Sequence, residues 1–177
     1  MGLRHVRQED LSWLERSCAD PEVRGPFLGS RMISPHQTAQ TWRDNGCSSP
    51  EFERLIVCDL ADERICGDVG HFPSCRYSSS REIGWTLTEV GLRGQGLATE
   101  AASLLVDYLF DNWQINRLQC AMSVYNHASR RVAEKCGFTH EGVMRGFAFV
   151  GGKYVDCHLL SLLRSEWVEA KEPEPRK

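Results

Sequence analysis

The sequence predicts an α+β fold: one mixed, mostly antiparallel twisted sheet flanked by helices. Three observations carry this. Strand-like runs follow in quick succession between Arg54 and Leu87 with short turns between them, as in an antiparallel meander. At Gly96 the hydrophobic period changes to that of a helix. From there a strand–helix–strand–helix unit is embedded among the antiparallel strands. At 177 residues and 41% hydrophobic, the chain suffices for one domain with a substantial core and is too short for two ordinary ones. The domain is placed over residues 1–168, with one active site expected.

The elements read in order. A short strand spans Leu3–Arg7, and Leu11, Leu14 and Cys18 then fall on one helical face that ends near Asp20-Pro21. After a loop at Gly25–Gly29, Ser34 as N-cap and Pro35 at the first helical position open a second helix to about Trp42. The meander comprises Arg54–Leu60, a turn at Ala61-Asp62-Glu63, Ile65–Phe72, a polar turn around Ser78-Ser79-Ser80, and Glu82–Leu87. Leu97, Ala101, Leu104, Leu105, Tyr108 and Leu109 form the apolar stripe of a helix reaching Asp111-Asn112. Arg117–Val124 is the next strand, followed by a helix at about Ala128–Cys136 with Gly137 after its last turn. Gly142–Val150 and Lys153–Leu163 flank Gly151-Gly152, a hairpin signal. The segment 169–177 holds two prolines and six charged residues, so it is expected to be a disordered tail.

Composition excludes several function classes. A formal net charge of −3 argues against nonspecific nucleic-acid binding, which needs a basic surface, and suits a cationic or neutral substrate. The eight cysteines are scattered and contain no Cys-x-x-Cys pair, so reduced thiols are expected rather than a disulfide scaffold or a metal site. The N-terminal residues lack the apolar run of a signal peptide, and Val6 stands where a myristoylation signal wants Ser or Thr. No stretch approaches the roughly 20 apolar residues of a membrane span. The expected address is the cytoplasm.

Chemistry concentrates where Glu82-Ile-Gly-Trp-Thr-Leu87 leads into Arg93-Gly-Gln-Gly-Leu-Ala-Thr-Glu100. A strand feeding a glycine-rich loop that becomes a helix start can turn unpaired N–H groups toward a phosphate. Gly94 and Gly96 remove the side chains that would block its approach. The loop lacks the Gly-Lys-Ser/Thr of a Walker loop and does not complete Gly-x-Gly-x-x-Gly, so neither NTP nor NAD is favoured. Taken alone, the two glycines also fit an ordinary tight turn capping a helix.

What the loop matches is Arg-x-x-Gly-x-Ala, at Arg93, Gly96 and Ala98. Here the sequence resembles the GCN5-related N-acetyltransferase superfamily. Asn126-x-x-Ser129 through Phe138, Glu141-Gly-Val-Met, Gly152-x-x-Val-Asp156 and Leu163-Arg-x-Glu-Trp167 extend the match. In that order they resemble the ribosomal-protein alanine N-acetyltransferase branch. The resemblance spans roughly Arg4 to Trp167 and implies the acyl-CoA N-acyltransferase fold. It implies that Arg93, Gly94, Gln95, Gly96, Leu97, Ala98 and Thr99 bind the CoA pyrophosphate. Pantetheine would lie between two splayed strands, touching the backbone of Leu87 and the side chain of Asn126.

Acetyl transfer requires a neutral amine, a polarised thioester carbonyl and a stabilised leaving thiolate. Glu82 lies near the start of the strand that feeds the loop, where the resemblance implies a carboxylate facing the acceptor directly or through water, and it is the first choice of base. Its alternative is a solvent-facing charge at a strand start. His71 has a suitable intrinsic pKa and an alternative as a satisfied sheet residue. The helix at Ala128–Cys136 lacks the tyrosine many family members use as acid, and the resemblance assigns that place to Ser129, which could otherwise cap the helix beside Asn126. Cys120 and Cys136 raise an acyl-cysteine route, but neither has an obvious base next to it. Asp156 could bind a cationic acceptor, and Trp13, Phe27, Trp42 and Trp85 could shape its cleft or belong to the core.

The expected function is transfer of an acetyl group from acetyl-CoA, as co-substrate and without a metal, to a primary amine by direct attack. The acceptor is a protein N-terminal α-amine or, in the alternative, an amine-bearing small molecule such as an antibiotic or polyamine. A noncatalytic acyl-CoA-binding module is the competing class. Neither nucleic acid nor membrane is an expected partner, and a homodimer is compatible with the reading.

Overall fold

The computed structural model describes residues 1–20, 24–29, 34–88 and 94–172. Its strands are β1 (Gly2–His5), β2 (Glu53–Cys58), β3 (Ile65–Pro73), β4 (Arg81–Leu87), β5 (Arg117–Ser123), β6 (Thr139–Val150) and β7 (Lys153–Leu163). The helices are α1 (Leu11–Ala19), α2 (Pro35–Asn45), α3 (Leu97–Asn112), α4 (His127–Lys135) and α5 (Arg164–Lys171). The seven strands form one sheet in the order β1-β2-β3-β4-β5-β7-β6. Among the described residues β4 and β5 are the one parallel pair, and every other neighbour is antiparallel. The α+β reading with a mixed, mostly antiparallel sheet therefore holds.

Each face of the sheet is covered because each helix presents an apolar stripe. On one face α3 buries Ala101, Ala102, Leu105, Val106, Leu109 and Phe110. These join Val57, Val69, Ile83, Leu118 and Leu160 from five strands in the main core. Full burial of a Leu or Phe side chain is worth about 1.5–3 kcal/mol, so α3 anchors the domain. On the other face, Leu14 of α1 packs with Val6, Cys47, Ile56 and Cys58, and Trp13 and Trp42 lean on that smaller cluster. The Trp42 indole also donates to the Val6 carbonyl at 3.1 Å. Trp13 and Trp42 are thus partly buried against this core.

The chain ends differently from the sequence reading. Helix α5 continues to Lys171, three residues into the segment expected to be a disordered tail. Residues 173–177 lie outside the described residues. The Leu163 N–H donates to the Glu166 carboxylate at 2.7 Å, which satisfies a group the new helix leaves unpaired. The Arg164 guanidinium donates to the carbonyls of Phe110, Trp113 and Ile115 at 2.6–2.7 Å, closing the end of α3. The Trp167 indole packs against Phe110 and donates to Asp107 at 2.7 Å. These tertiary partners, not local propensity, hold a short and strongly charged helix in place.

Candidate active site

The site begins as a failure of pairing. β4 and β5 meet only at Arg81↔Leu118 and Glu82↔Gln119. Beyond that rung the strands diverge, although β4 stays paired with β3 as far as Leu87 and β5 stays paired with β7 as far as Ser123. Two strand edges therefore face each other across an opening with backbone groups to offer. An extended ligand can occupy it as a strand would. Leu87 ends β4 on this opening.

The glycine loop heads α3. Gly94 and Gly96 have φ of 79° and 84°, a region L side chains rarely adopt. Both are exposed, and among the described residues no heavy atom lies within 4 Å of where a Cβ would stand on either. Gly96 is the N-cap of α3, and among the described residues no side chain caps that end. The amides of Leu97 and Ala98 stand at the positive end of a 16-residue helix, where an anion is favoured, while the Thr99 N–H already donates to the Gly96 carbonyl at 2.9 Å. Arg93 lies outside the described residues.

Glu82 sits on the last paired rung, where the opening starts. It is half-buried, and the Gln119 side-chain amide donates to its Oε2 at 3.0 Å. Its neighbour Ile83 belongs to the core under α3, so Glu82 points to the opposite face, away from that helix. Ser129 and Asn126 approach from α4. The Asn126 Oδ1 accepts from the Ser129 N–H at 3.1 Å, so Asn126 caps the helix and Ser129 is the third residue of its first turn. Among the described residues the Ser129 hydroxyl makes no hydrogen bond of its own.

Other candidates resolve into structural roles. His71 is fully buried on the α3 side of the sheet. Its Nδ1 accepts from the Arg81 guanidinium at 2.9 and 3.0 Å, and its Nε2 donates to Glu53 Oε2 at 2.9 Å. Ser48 donates to the other oxygen of Glu53 at 2.7 Å, and Trp113 covers the assembly with its ring 4.8 Å from the Arg81 guanidinium. A histidine with both nitrogens engaged in a closed network is no base for an acceptor on the far face. Asp156 is exposed and braces the backbone with one oxygen: its Oδ1 accepts from the Gly146 N–H at 2.7 Å, where the β6–β7 register shifts.

Cys120 and Cys136 are poor nucleophiles. Burial raises both thiols above their ordinary range, Cys120 far above it with a further push from Glu82, and Cys136 against the hydrogen bond from Ser103. All eight cysteines are free. A groove of about 610 Å³ lined by residues such as Asn112, Asn116 and Arg164 lies at the C-terminal end of α3, the opposite end from the glycine loop. The site's geometry is the split sheet, not this groove.

The buried network makes stability pH-dependent. Burial, reinforced by the Arg81 charge, holds the His71 pKa below its ordinary 6.5 despite Glu53. Burial raises Glu53, but hydrogen bonds from Ser48, His71 and Tyr108 outweigh it and leave its pKa below 4.5. Both folded values are depressed, so both contributions are present above the unfolded values and are lost as pH falls. The thermal midpoint is expected to drop as pH is lowered from 7 through 6.5 and again below 4.5. In His71→Gln the difference in midpoint between pH 7 and pH 5 should shrink; an unchanged difference would assign the first loss to another group.

A split parallel pair, a glycine-rich helix start and a carboxylate on the last paired rung suit a group-transfer protein that takes a phosphate-bearing donor in extended form. Comparison with known proteins agrees. Residues 1–139 match the family model of the acetyltransferase (GNAT) domain. The chain is 32% identical over 158 residues to the "Putative ribosomal N-acetyltransferase YdaF" of Bacillus subtilis (strain 168), covering 79% of this chain and 86% of that one. It is 26% identical over 80 residues to the spermidine N(1)-acetyltransferase of Vibrio cholerae, covering 45% and 46%. The fold superposes on the crystal structure of spermidine N-acetyltransferase from Vibrio cholerae in complex with CoA and spermine with a TM-score of 0.82, at 19% identity, covering 94% of this chain and 97% of that one. The chain belongs to the GNAT acetyltransferase family and is an N-acetyltransferase.

Proposed function

We propose that this enzyme moves the acetyl group of acetyl-CoA to the free α-amine at a protein N-terminus, by direct attack within one ternary complex. The observation that carries the reading is the carboxylate of Glu82 at the last rung before β4 and β5 part. The amides at the start of α3, with Arg93, hold the pyrophosphate. The freed edges of β4 and β5, including the backbone of Leu87, hold pantetheine, and Asn126 borders it. Acetyl-CoA supplies the activated carbonyl. Glu82 accepts the proton of the attacking ammonium, directly or through a water, so that nitrogen can form the new N–C bond. Ser129 donates a hydrogen bond to the sulfur as the C–S bond breaks, and the departing thiolate takes the second proton, which the nitrogen sheds as it becomes an amide.

The N-terminal acceptor is supported by the relative named for ribosomal N-acetylation, which aligns over 79% of the chain. The spermidine enzyme aligns over 45%, and it keeps a polyamine as the second reading. Mass spectrometry on a panel of peptides and small amines with acetyl-CoA separates them. Acetylation of spermidine and of no peptide would overturn the first reading. Ser129→Ala should lower kcat by about tenfold, the worth of one hydrogen bond to a developing charge, with little change in the KM for acetyl-CoA. An unaltered kcat would remove Ser129 from the mechanism.

A further inference from the structure

The seven-stranded sheet is two smaller sheets joined at one place. Strands β1 to β4 pair in succession, as do β5, β7 and β6, and the halves meet only at Arg81↔Leu118 and Glu82↔Gln119. Successive residues of a strand point to opposite faces, so this joint carries Arg81 on the α3 face, with Ile83, and Glu82 on the acceptor face. On each face a side chain crosses the joint. On the acceptor face the Gln119 amide of β5 donates to Glu82 of β4 at 3.0 Å. On the other face Arg81 reaches Trp113, in the segment that leads from α3 into β5, and its guanidinium lies 4.8 Å from the ring centroid.

The guanidinium is fixed from several sides at once. Its Nε and Nη2 donate to Nδ1 of His71, on β3, at 3.0 and 2.9 Å, and its Nη1 donates to the Pro50 carbonyl, ahead of β2, at 2.7 Å. The His71 ring stands edge-on to Trp113 with centroids 5.1 Å apart, and its other nitrogen donates to Glu53 of β2 at 2.9 Å. Trp113 is held in turn, since its carbonyl accepts from Arg164 at 2.7 Å. Arg81 thus ties β3, β4 and the lead into β2 to the segment that opens the other half-sheet. For packing alone this is a costly device. Arg81 is 6% exposed, and among the described residues no carboxylate bonds it directly. A buried charge without an opposite charge on it is expensive, and an apolar side chain of similar size would fill the core at less cost. What an apolar chain lacks is direction, which the rigid planar fork of a guanidinium supplies.

We propose that Arg81 is a positioning residue for acetyl transfer: it locks the joint between the two half-sheets at one angle, and so sets where Glu82, the next residue, stands relative to the thioester between the parted strands. The effect falls on the reaction more than on donor binding, because the proposed pantetheine and pyrophosphate contacts lie beyond the joint. A misplacement of about 1 Å at the reacting groups costs on the order of 10²-fold in rate. This inference rests on the reading that Glu82 is the base.

The test is a double-mutant cycle of Arg81→Lys, Glu82→Gln and the two combined, assayed with acetyl-CoA and two acceptor probes, an Ala-first hexapeptide and spermidine. Lysine keeps the charge but loses the fork and the stacking plane. Assayed well below each thermal midpoint, Arg81→Lys should lower kcat by about 10- to 100-fold, while the acetyl-CoA Kd by calorimetry stays within about threefold. Added to Glu82→Gln it should cost no more than about threefold further, since a residue that acts through the base then has nothing left to position. Trp113→Leu, which removes the stacking face and leaves the hydrogen bonds of Arg81, should also lower kcat, and Trp113→Phe should recover most of the loss. These two variants decide the matter if Arg81→Lys does not fold. Unchanged kcat in folded Arg81→Lys or in Trp113→Leu, or Trp113→Phe as slow as Trp113→Leu, overturns the inference while leaving the proposed reaction standing. So does a loss in the double variant equal to the product of the two single losses. If Glu82→Gln costs less than about threefold, or the wild type turns over neither probe, the reading of Glu82 as base fails, and the inference with it.

Discussion

Glu82→Gln is expected to lower kcat by about 10²–10⁴-fold while leaving the acetyl-CoA Kd unchanged, because general-base help in amine attack has that magnitude. The substitution suits the geometry. Gln119 donates to Glu82 Oε2 at 3.0 Å, and the oxygen of a glutamine can still accept that bond. Position and packing are therefore kept, and only the capacity to take a proton is lost. Stopped-flow or steady-state kinetics on the accepted amine, beside calorimetry with CoA, measures both quantities. A loss below about threefold would move the base elsewhere, to a water or to another group on the acceptor face.

Gly96→Val should abolish measurable CoA binding, a loss of at least about 100-fold in Kd. Two effects add. The φ of 84° costs a β-branched residue on the order of 1–2 kcal/mol. The added side chain would also project into the exposed space at the head of α3, where the pyrophosphate is to sit. The thermal midpoint without ligand separates the two. The strain lowers it in both free and liganded protein, whereas occlusion removes the rise in midpoint that CoA produces. A retained CoA affinity in a folded Gly96→Val protein would refute the assignment of the anion site.

The parts of this protein that were legible in its sequence are those whose physics is local. All seven strands were anticipated from alternation and turn residues, and α1 to α4 from periodicity and caps. The errors fell at the ends. The strand expected to reach Leu60 stops at Cys58, where the β2–β3 register shifts, and the helix expected to stop near Trp42 runs to Asn45. Helix α5 was invisible because its residues are charged and few. What stabilises it is Arg164 and Trp167 reaching residues about 50 to 60 positions away.

The same division runs through the site. Two glycines before an amphipathic helix fit an anion cradle or an ordinary tight turn, and both readings are open to the sequence because backbone freedom and a helix terminus are properties of a short stretch of chain. Asn126 as a cap for Ser129 is equally local. Glu82 was selected from a family pattern, but the Gln119 amide that holds it is 37 positions distant and unreadable without the parallel rung that joins them. Conversely, His71 looked like a candidate base, since an imidazole titrates near neutrality in isolation. Folding places Arg81 and Glu53 on its two nitrogens and spends both.

The sequence by itself determined the order of elements, the glycine-rich head of α3 and the class of donor it suits. Only the tertiary structure decided where β4 and β5 separate, which faces of that joint Arg81 and Glu82 take, and which polar residues are consumed by the core. The physical reason is range: dihedral preference, periodicity and capping act within a few residues, whereas pairing across a sheet and burial depend on partners the chain brings together from anywhere along its length.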